Sequence, residues 1–217
     1  MNKEYVQFGC GFSAPEKWRN FDASPTLRFE KIPVVGRLYT RNSARFPKSV
    51  EYGDIVRGLP IAEESTDGVY CSHVLEHLSL EDFRSAISNT YQILKPGGYF
   101  RLVLPDLEYA INQYNQQSSP VAAFEFMRNT ILGKEKSRPG LRAFVSEWLG
   151  HCQHLWMWDY KSIAHELQQT GFTNLRRATF GDSADPMFRD VEDETRWVDA
   201  LGVECRKGEC VTLRKVA

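Results

Sequence analysis

Two apolar strands and the helix between them constrain the fold of this chain most strongly. An apolar run at residues 69–71 ends in Ser72, and residues 80–94 then carry apolar side chains at helical spacing. The sequence Pro96-Gly97-Gly98 is typical of a helix end and a turn, and a second apolar run continues to Pro105. Two strands joined through a helix form a parallel crossover unit, so the chain is predicted to build an α/β sheet.

The remainder of the chain also alternates between strand and helix patterns. Residues 107–150 differ because they are polar, helical and interrupted by prolines, and we interpret them as an insertion over the carboxyl edge of the sheet. The prediction is therefore a single domain, residues 1–217, with a doubly wound and mostly parallel sheet. The other predicted elements are strands at 5–8, 20–22, 50–54, 175–180 and 203–207 and a helix at 160–170.

Composition excludes several classes of protein. The 217 residues are 42% hydrophobic and 25% charged, with a net charge of -1, which fits one globular domain without a nucleic-acid footprint. The sequence contains no apolar run of ~18 residues, so no membrane span is predicted. The five cysteines are odd in number and scattered, as in a cytoplasmic protein with reduced thiols, although Cys205 and Cys210 are close enough in sequence to bridge or to share a metal.

A glycine motif, Gly9-Cys10-Gly11, follows the first predicted strand. Glycines there let a ligand approach the backbone closely, but a purely structural turn has the same pattern. A dinucleotide site would place an acidic residue ~20 positions beyond the motif. The candidate here, Asp22, lies only 11 residues beyond Gly11, which leaves little room for a helix that cradles a pyrophosphate. The spacing argues against NAD or FAD.

Together, the glycine motif, the run His73-Val-Leu-Glu-His77 and the Pro-Gly-Gly strand resemble class I S-adenosylmethionine-dependent methyltransferases. The resemblance is to small bacterial members with a shortened first loop. It implies a seven-stranded Rossmann-like sheet and S-adenosylmethionine as cofactor. It also implies an enzyme that methylates an O or N nucleophile of a small molecule, such as a glycan precursor or another hydroxylated metabolite. A homodimer is compatible with it.

The same resemblance assigns residues to the cofactor. Asp22 would bind the two ribose hydroxyls, and Asp54 the adenine amino group with Ile55 beside the ring. Gln7 stands where the family usually has an acidic residue, and its amide would bind the amino group of the ligand. The full predicted set is Gln7, Gly9, Cys10, Gly11, Asp22, Asp54, Ile55, Ser72 and His73, the last two facing the methionine portion and the sulfonium.

Four residues are candidates for catalysis on the acceptor side. His151 and His154 lie three apart in an aromatic run, which is typical either of an acceptor pocket or of simple packing. Asp106 follows the fifth strand and could act as a base or cap the next helix. His73 is the fourth, and the insertion at 107–150 would supply part of the pocket as a lid.

Two other functions fit parts of the sequence. His73, Glu76 and His77 also match the inverted zinc-protease motif, which places two imidazoles on one helical face and would make the chain a hydrolase. A binding module that keeps the cofactor fold without catalysis is the second. In the methyltransferase interpretation no metal is expected, and Glu76 and His77 would mainly hold the loop.

Overall fold

The computed structural model describes residues 3–33, 44–134 and 153–209. Within them one sheet has the strand order β3-β2-β1-β4-β5-β7-β6, in which β7 alone runs antiparallel to its neighbours. The predicted mostly parallel seven-stranded sheet is confirmed. Its strands are β1 (Tyr5–Phe8), β2 (Arg19–Asp22), β3 (Val50–Tyr52), β4 (Thr66–Ser72), β5 (Leu94–Pro105), β6 (Phe172–Ala178) and β7 (Ala200–Lys207).

Helices lie between the strands, as the alternating pattern predicts. The described helices are α1 (Pro25–Glu30), α2 (Leu80–Ile93), α3 (Leu107–Gln116), α4 (Ala122–Asn129) and α5 (Tyr160–Thr170). Shorter 3-10 turns occur at Leu75–His77, Pro186–Asp190 and Glu194–Trp197.

The main core is formed by the sheet with α2 and α5. The apolar face predicted for α2 is buried, and its Phe83 packs on Trp158 with ring centroids 4.2 Å apart. Leu167 of α5 is fully buried in the same core, and Gly171 ends that helix with a φ of +106°, as predicted. All four residues of β1 are buried because both faces of the sheet are covered.

The end of α2 differs from the prediction. The helix stops at Ile93, and Leu94 already belongs to β5, where it pairs with Thr66 of β4. The Thr66 hydroxyl also donates to the Ile93 carbonyl over 2.9 Å. Pairing with β4 therefore ends the helix before the Pro-Gly-Gly sequence, while Gly97, at a φ of +76°, lies where the pairing register of β5 shifts.

The connection between β6 and β7, residues 179–199, folds back over the sheet. Its Phe188 is fully buried against Trp18 and Tyr70 in a second, smaller core. Arg101 of β5 is also fully buried, and its guanidinium binds Glu192 of the connection at 2.5 Å. Apolar contact and a buried ion pair thus hold the connection at the carboxyl edge of the sheet.

The predicted insertion is described only in part. Residues 107–134 contain α3 and α4, which pack on each other, while residues 135–150 lie outside the described residues. A lid formed by the whole segment therefore stays a prediction. Among the described helices, none combines the length and apolar character that crossing a membrane requires.

Candidate functional site

The carboxyl ends of β1, β2 and β4 lie at one edge of the sheet, where parallel α/β sheets bind ligands. Gly9 and Gly11 follow β1 with left-handed φ angles of +63° and +54°. A Cβ on Gly9 would lie 2.1 Å from Cγ2 of Val74, whereas no described atom comes within 4 Å of one built on Gly11. The neighbouring loop therefore requires Gly9, and the space beside Gly11 is open to a ligand.

A cavity of about 340 Å³ opens beside this glycine loop. Its volume is within the range of small-ligand pockets, roughly 300–1,000 Å³. The cavity lies between the loop, the end of β4 and the β6–β7 connection. Its walls include Gly9, Cys10, Gly11, Ser72, Asp193 and Arg196.

Asp22 fastens the glycine loop to the end of β2. Its Oδ2 accepts the backbone N–H of Gly11 at 3.0 Å, and Oδ1 accepts that of Ser24 at 2.7 Å. The side chain is largely buried, but each carboxylate oxygen keeps acceptor capacity for a hydroxyl. The predicted ribose contact stays a prediction, and the structure adds a role in holding the loop.

The side-chain amide of Gln7 already makes two hydrogen bonds within the protein. Its Nε2 donates to the Ser13 carbonyl at 2.9 Å and to Oδ1 of Asn20 at 2.5 Å, which ties the compressed first loop to β2. Both amide protons are therefore used within the protein. A contact with the amino group of a ligand would have to use the Gln7 carbonyl oxygen, which is an acceptor and suits that partner.

Asp54 and Ile55 follow β3, as predicted, but Asp54 is partly accessible to a ligand whereas Ile55 is buried. Oδ1 of Asp54 accepts the backbone N–H of Val56 at 3.0 Å, and Oδ2 lies 3.5 Å from Nε of Arg57. Ile55 is 5% exposed and packs within the main core. The position of this side chain does not support its predicted place beside a ligand ring, because the core rather than the cavity surrounds it.

Cys10, in the wall of this cavity, is a neutral thiol. Burial, and then the nearby Asp22 carboxylate, raise the pKa of Cys10 to about 12. Its Sγ lies 3.6 Å from the carbonyl oxygen of Gly11. A protonated thiol of this kind contributes contact surface to a ligand and is a poor nucleophile.

Arg196, in the β6–β7 connection, was not predicted from the sequence to lie in the site. Its Nε donates to Oγ of Ser72 at 2.9 Å, and its Nη2 donates to the Ser72 carbonyl at 2.7 Å. These contacts close one wall of the cavity over the end of β4. The sequence signal was weak, because Arg196 lies in the charged run 192–196, which has the pattern of a solvated surface.

His73 lies directly after β4 with a left-handed φ of +52°. Its Nδ1 is 3.3 Å from Oε1 of Glu76 and its Nε2 is 2.9 Å from the Arg196 carbonyl. Burial lowers the pKa of His73, but the Glu76 side chain and the Arg196 carbonyl raise it, and the net direction is upward. Both ring nitrogens face acceptors, which favours the imidazolium form. In this arrangement His73 lacks the lone pair that a general base needs.

Three histidines surround the buried carboxylate of Glu76. Besides His73, the Nε2 atoms of His77 and His154 each lie 3.9 Å from its Oε1. The Glu76 side chain is 1% exposed. The inverted zinc-protease geometry is absent from this part of the chain, because His73 precedes a 3-10 turn of only three residues, Leu75–His77, and shares no helical face with His77. This geometry does not favour the predicted hydrolase alternative.

Backbone hydrogen bonds of the residues that follow His154 hold this histidine next to Glu76. The backbone N–H groups of Leu155 and Trp156 both donate to the Glu76 carbonyl, at 2.7 and 3.1 Å. Burial lowers the pKa of His154, more than the Glu76 charge raises it, so the ring is neutral near pH 7. Its imidazole faces Glu76. The other predicted base of this run, His151, lies outside the described residues.

A second cavity, of about 250 Å³, lies at the same edge beyond β5. Asp106 is in its wall and caps α3, with Oδ1 accepting the backbone N–H of Glu108 at 2.8 Å. Its Oδ2 lies 3.4 Å from Nη1 of Arg177. The predicted helix cap at Asp106 is therefore present, and its predicted role as a base stays a prediction. The walls also include Tyr109, Gln113, Tyr114, Asn129, Met157 and Asp199.

Comparisons with known proteins agree with this arrangement. Residues 9–177 match a family model described as a methyltransferase domain. No curated protein matches the chain.

Several solved structures are similar to the chain at low sequence identity. A SAM-dependent methyltransferase of Thermotoga maritima aligns with 94% of this chain and 81% of its own, at 16% identity and a TM-score of 0.50. A SAM-dependent methyltransferase from Archaeoglobus fulgidus aligns with 94% of this chain and 86% of its own, at 14% identity and a TM-score of 0.49. An S-adenosylmethionine-dependent methyltransferase from Mesorhizobium loti aligns with 95% of this chain and 91% of its own, at 19% identity and a TM-score of 0.47.

The family match covers well over half of the chain and includes the glycine loop, the end of β4 and the walls of the second cavity apart from Asp199. It does not favour a hydrolase. The chain therefore belongs to the methyltransferase domain family, as an enzyme whose cofactor is S-adenosylmethionine.

Proposed function

We propose that this enzyme transfers the methyl group to an O or N nucleophile of a small molecule that enters the cavity beside Asp106. The observation that carries the proposal is the presence of two cavities at one sheet edge, one at the glycine loop and one beyond β5. Their order follows the strands, since β4 and β5 are neighbours. A two-substrate reaction needs two sites that are separate but adjacent.

The cofactor occupies the cavity at the glycine loop in this proposal. Asp22 accepts hydrogen bonds from the ribose hydroxyls, and Asp54 accepts one from the adenine amino group. The carbonyl oxygen of Gln7 accepts from the amino group of the methionine portion. Ser72 and Arg196 form the opposite wall, next to the methionine portion.

Methyl transfer is an in-line displacement. A lone pair of the acceptor forms a bond to the methyl carbon while the carbon–sulfur bond breaks and its electron pair returns to sulfur. The sulfonium charge disappears, S-adenosylhomocysteine leaves, and the acceptor loses a proton. Holding the two reactants in line supplies most of the rate enhancement.

The acceptor cavity suits a compact hydroxylated molecule. Amide, phenol and carboxylate groups line it, and these groups bind hydroxyls or amines through hydrogen bonds. Its volume of about 250 Å³ is small, which supports a metabolite rather than a polymer as the methyl acceptor. A sugar or glycan precursor is the acceptor class that we favour.

Asp106 is the base candidate that lies in the wall of this cavity. Its Oδ1 caps the helix, and its Oδ2 lies 3.4 Å from Nη1 of Arg177. His154, which is neutral and therefore able to accept a proton, stays the second candidate, but its ring is directed towards Glu76. Its replacement is expected to lower turnover by about 10²–10⁴ only if it receives the proton of the acceptor.

The test is a screen of hydroxylated and amine acceptors with methyl-labelled cofactor, followed by the Asp106→Asn variant. Asparagine caps helices as well as aspartate does, so this change removes the charge and keeps the cap. The control is Asp159→Asn, at the N-terminal cap of α5. We expect turnover to fall about 10²-fold or more in Asp106→Asn alone, with cofactor affinity unchanged.

Other outcomes of the screen contradict the proposal. Equal turnover in both variants would remove Asp106 from catalysis. Label transfer to protein or nucleic acid, with none to any small molecule, would overturn the acceptor class. Cofactor binding without transfer to any acceptor would instead support a binding module that has lost catalysis.

A further inference from the structure

Glu76 is a buried acidic residue, and Nδ1 of His73 is the ring nitrogen that lies nearest to its Oε1. Its side chain is 1% exposed, and among the described residues neither carboxylate oxygen receives a hydrogen bond. A carboxylate in this condition is costly unless a cation is close to it. His73 approaches Oε1 from one side at 3.3 Å. On the other side two further imidazoles face the same oxygen.

The orientation of His77 defines which of its nitrogens carries a lone pair. Its Nδ1 lies 2.9 Å from the Gln153 carbonyl, which can only accept, so Nδ1 carries the proton. In the neutral ring Nε2 then has the lone pair, and Nε2 lies 3.9 Å from Oε1 of Glu76. Two acceptors therefore face each other across a gap, an arrangement that a cation between them would stabilise.

His154 approaches the same gap from the other segment. Its Nε2 is also 3.9 Å from Oε1 of Glu76, and the ligand atoms of Glu76, His77 and His154 all lie within 4.8 Å of one another. In a tetrahedral zinc site with bonds of about 2.0–2.1 Å, neighbouring ligand atoms are roughly 3.3 Å apart. Modest side-chain rotations would bring the three atoms to that spacing.

The surrounding backbone already holds the three side chains near this geometry. Leu155 and Trp156 donate to the Glu76 carbonyl, and His154 donates its backbone N–H to the Ile131 carbonyl at 3.3 Å. The bond from His77 to the Gln153 carbonyl is the kind that orients metal-binding histidines in proteins.

We propose that Glu76, His77 and His154 bind a divalent transition metal ion such as Zn²⁺, with water as a further ligand. Two imidazoles and one carboxylate form a ligand set that suits this ion. The metal would join the loop after β4 to His154, which precedes α5 in the chain. The proposal is independent of the acceptor class. The proposed site shares Glu76 and His77 with the hydrolase motif, but its second imidazole comes from His154 and not from His73.

The experiment measures zinc binding to the full chain after treatment with a chelator and dialysis, by calorimetry and by metal analysis. We expect one Zn²⁺ per chain at this site. Glu76→Gln and His154→Asn should each weaken binding by about 10²-fold or more, since even partners outside the ligand shell contribute 10–100-fold. His165→Asn is the control, because this histidine is exposed on α5.

The wild-type stoichiometry tests the proposal by itself if a variant does not fold. Glu76→Gln keeps the shape of the side chain, and His77→Asn replaces a second ligand if His154→Asn is unstable. Zinc should also raise the melting temperature of the wild type and of His165→Asn, but not of the ligand variants. Absence of bound zinc in the wild type, or equal affinity in the wild type and the folded ligand variants, would overturn the proposal.

Discussion

Arg196 clamps the end of β4 by donating to both the hydroxyl and the carbonyl of Ser72, at 2.9 and 2.7 Å. Through this pair of contacts, the β6–β7 connection becomes a wall of the cavity at the glycine loop, where we propose that the cofactor binds. The contact also brings the Arg196 carbonyl to Nε2 of His73. One residue of the connection thus contacts both predicted ligand-binding residues at the end of β4, Ser72 and His73.

Replacing Arg196 with lysine should weaken cofactor binding. Lysine keeps the charge but lacks the planar fork that bonds two oxygens of Ser72 at once. We expect the affinity for S-adenosylmethionine to fall about tenfold, which corresponds to about 1.4 kcal/mol. Calorimetry measures it, with the exposed Arg189→Lys in the same connection as control. An unchanged affinity in Arg196→Lys would show that this wall does not contribute to binding.

Replacing Asp22 with alanine should weaken cofactor binding more than the same change at Asp54. Asp22 is expected to make two charge-assisted bonds to the ribose and Asp54 one to the adenine, each worth roughly 1.5–3 kcal/mol. Asp22 also holds Gly11 and Ser24 in place, so its loss should lower the melting temperature of the free protein as well. Calorimetry and thermal unfolding of both variants test this. Equal, negligible losses of affinity would contradict the assigned cofactor position.

Replacing Arg101 with methionine should destabilise the fold strongly. Arg101 is fully buried and pairs with Glu192 at 2.5 Å and with Glu204 at 3.0 Å. Breaking a buried pair leaves uncompensated charges, which costs about 3–5 kcal/mol of the free energy of unfolding. The control is Arg177→Met, whose exposed ion pairs should contribute about 0–1 kcal/mol. Urea unfolding gives both values, and similar losses would contradict the assigned role of the network.

The stabilisation from Asp182 should depend on pH. Burial by itself raises the pKa of this carboxyl. Hydrogen bonds from Arg176, the Thr179 backbone and Arg101 lower the pKa by more, so the net result lies well below the usual range. A depressed folded pKa gives stability that is present above the unfolded pKa of about 3.9 and is lost as pH falls. The stability gap between wild type and Asp182→Asn should thus be full near pH 6 and shrink below about pH 4. Urea unfolding across this range measures the gap, and a constant gap would contradict the prediction.

Local sequence patterns were sufficient to predict the α/β architecture and the position of the glycine loop. The apolar face of α2, including Phe83, follows the helical period, and the buried β1 is a continuous apolar run apart from Gln7. These patterns are local because each element must bury its own apolar face. The number of strands and the cofactor came instead from the resemblance to a family, and the order of the strands was not predicted.

Tertiary structure decided the features that depend on distant segments. Leu94 belongs to β5 and not to α2 because it pairs with Thr66 of β4. Local helix propensity contains no information about pairing with a distant strand. Glu76 meets His154 only because the chain returns to the loop after β4, 78 residues later, and binds the Glu76 carbonyl. Arg196 reaches Ser72 from an even greater separation, 124 residues. The sequence by itself determined which elements form and which face each buries, whereas packing between those elements determined which charged side chains share a site.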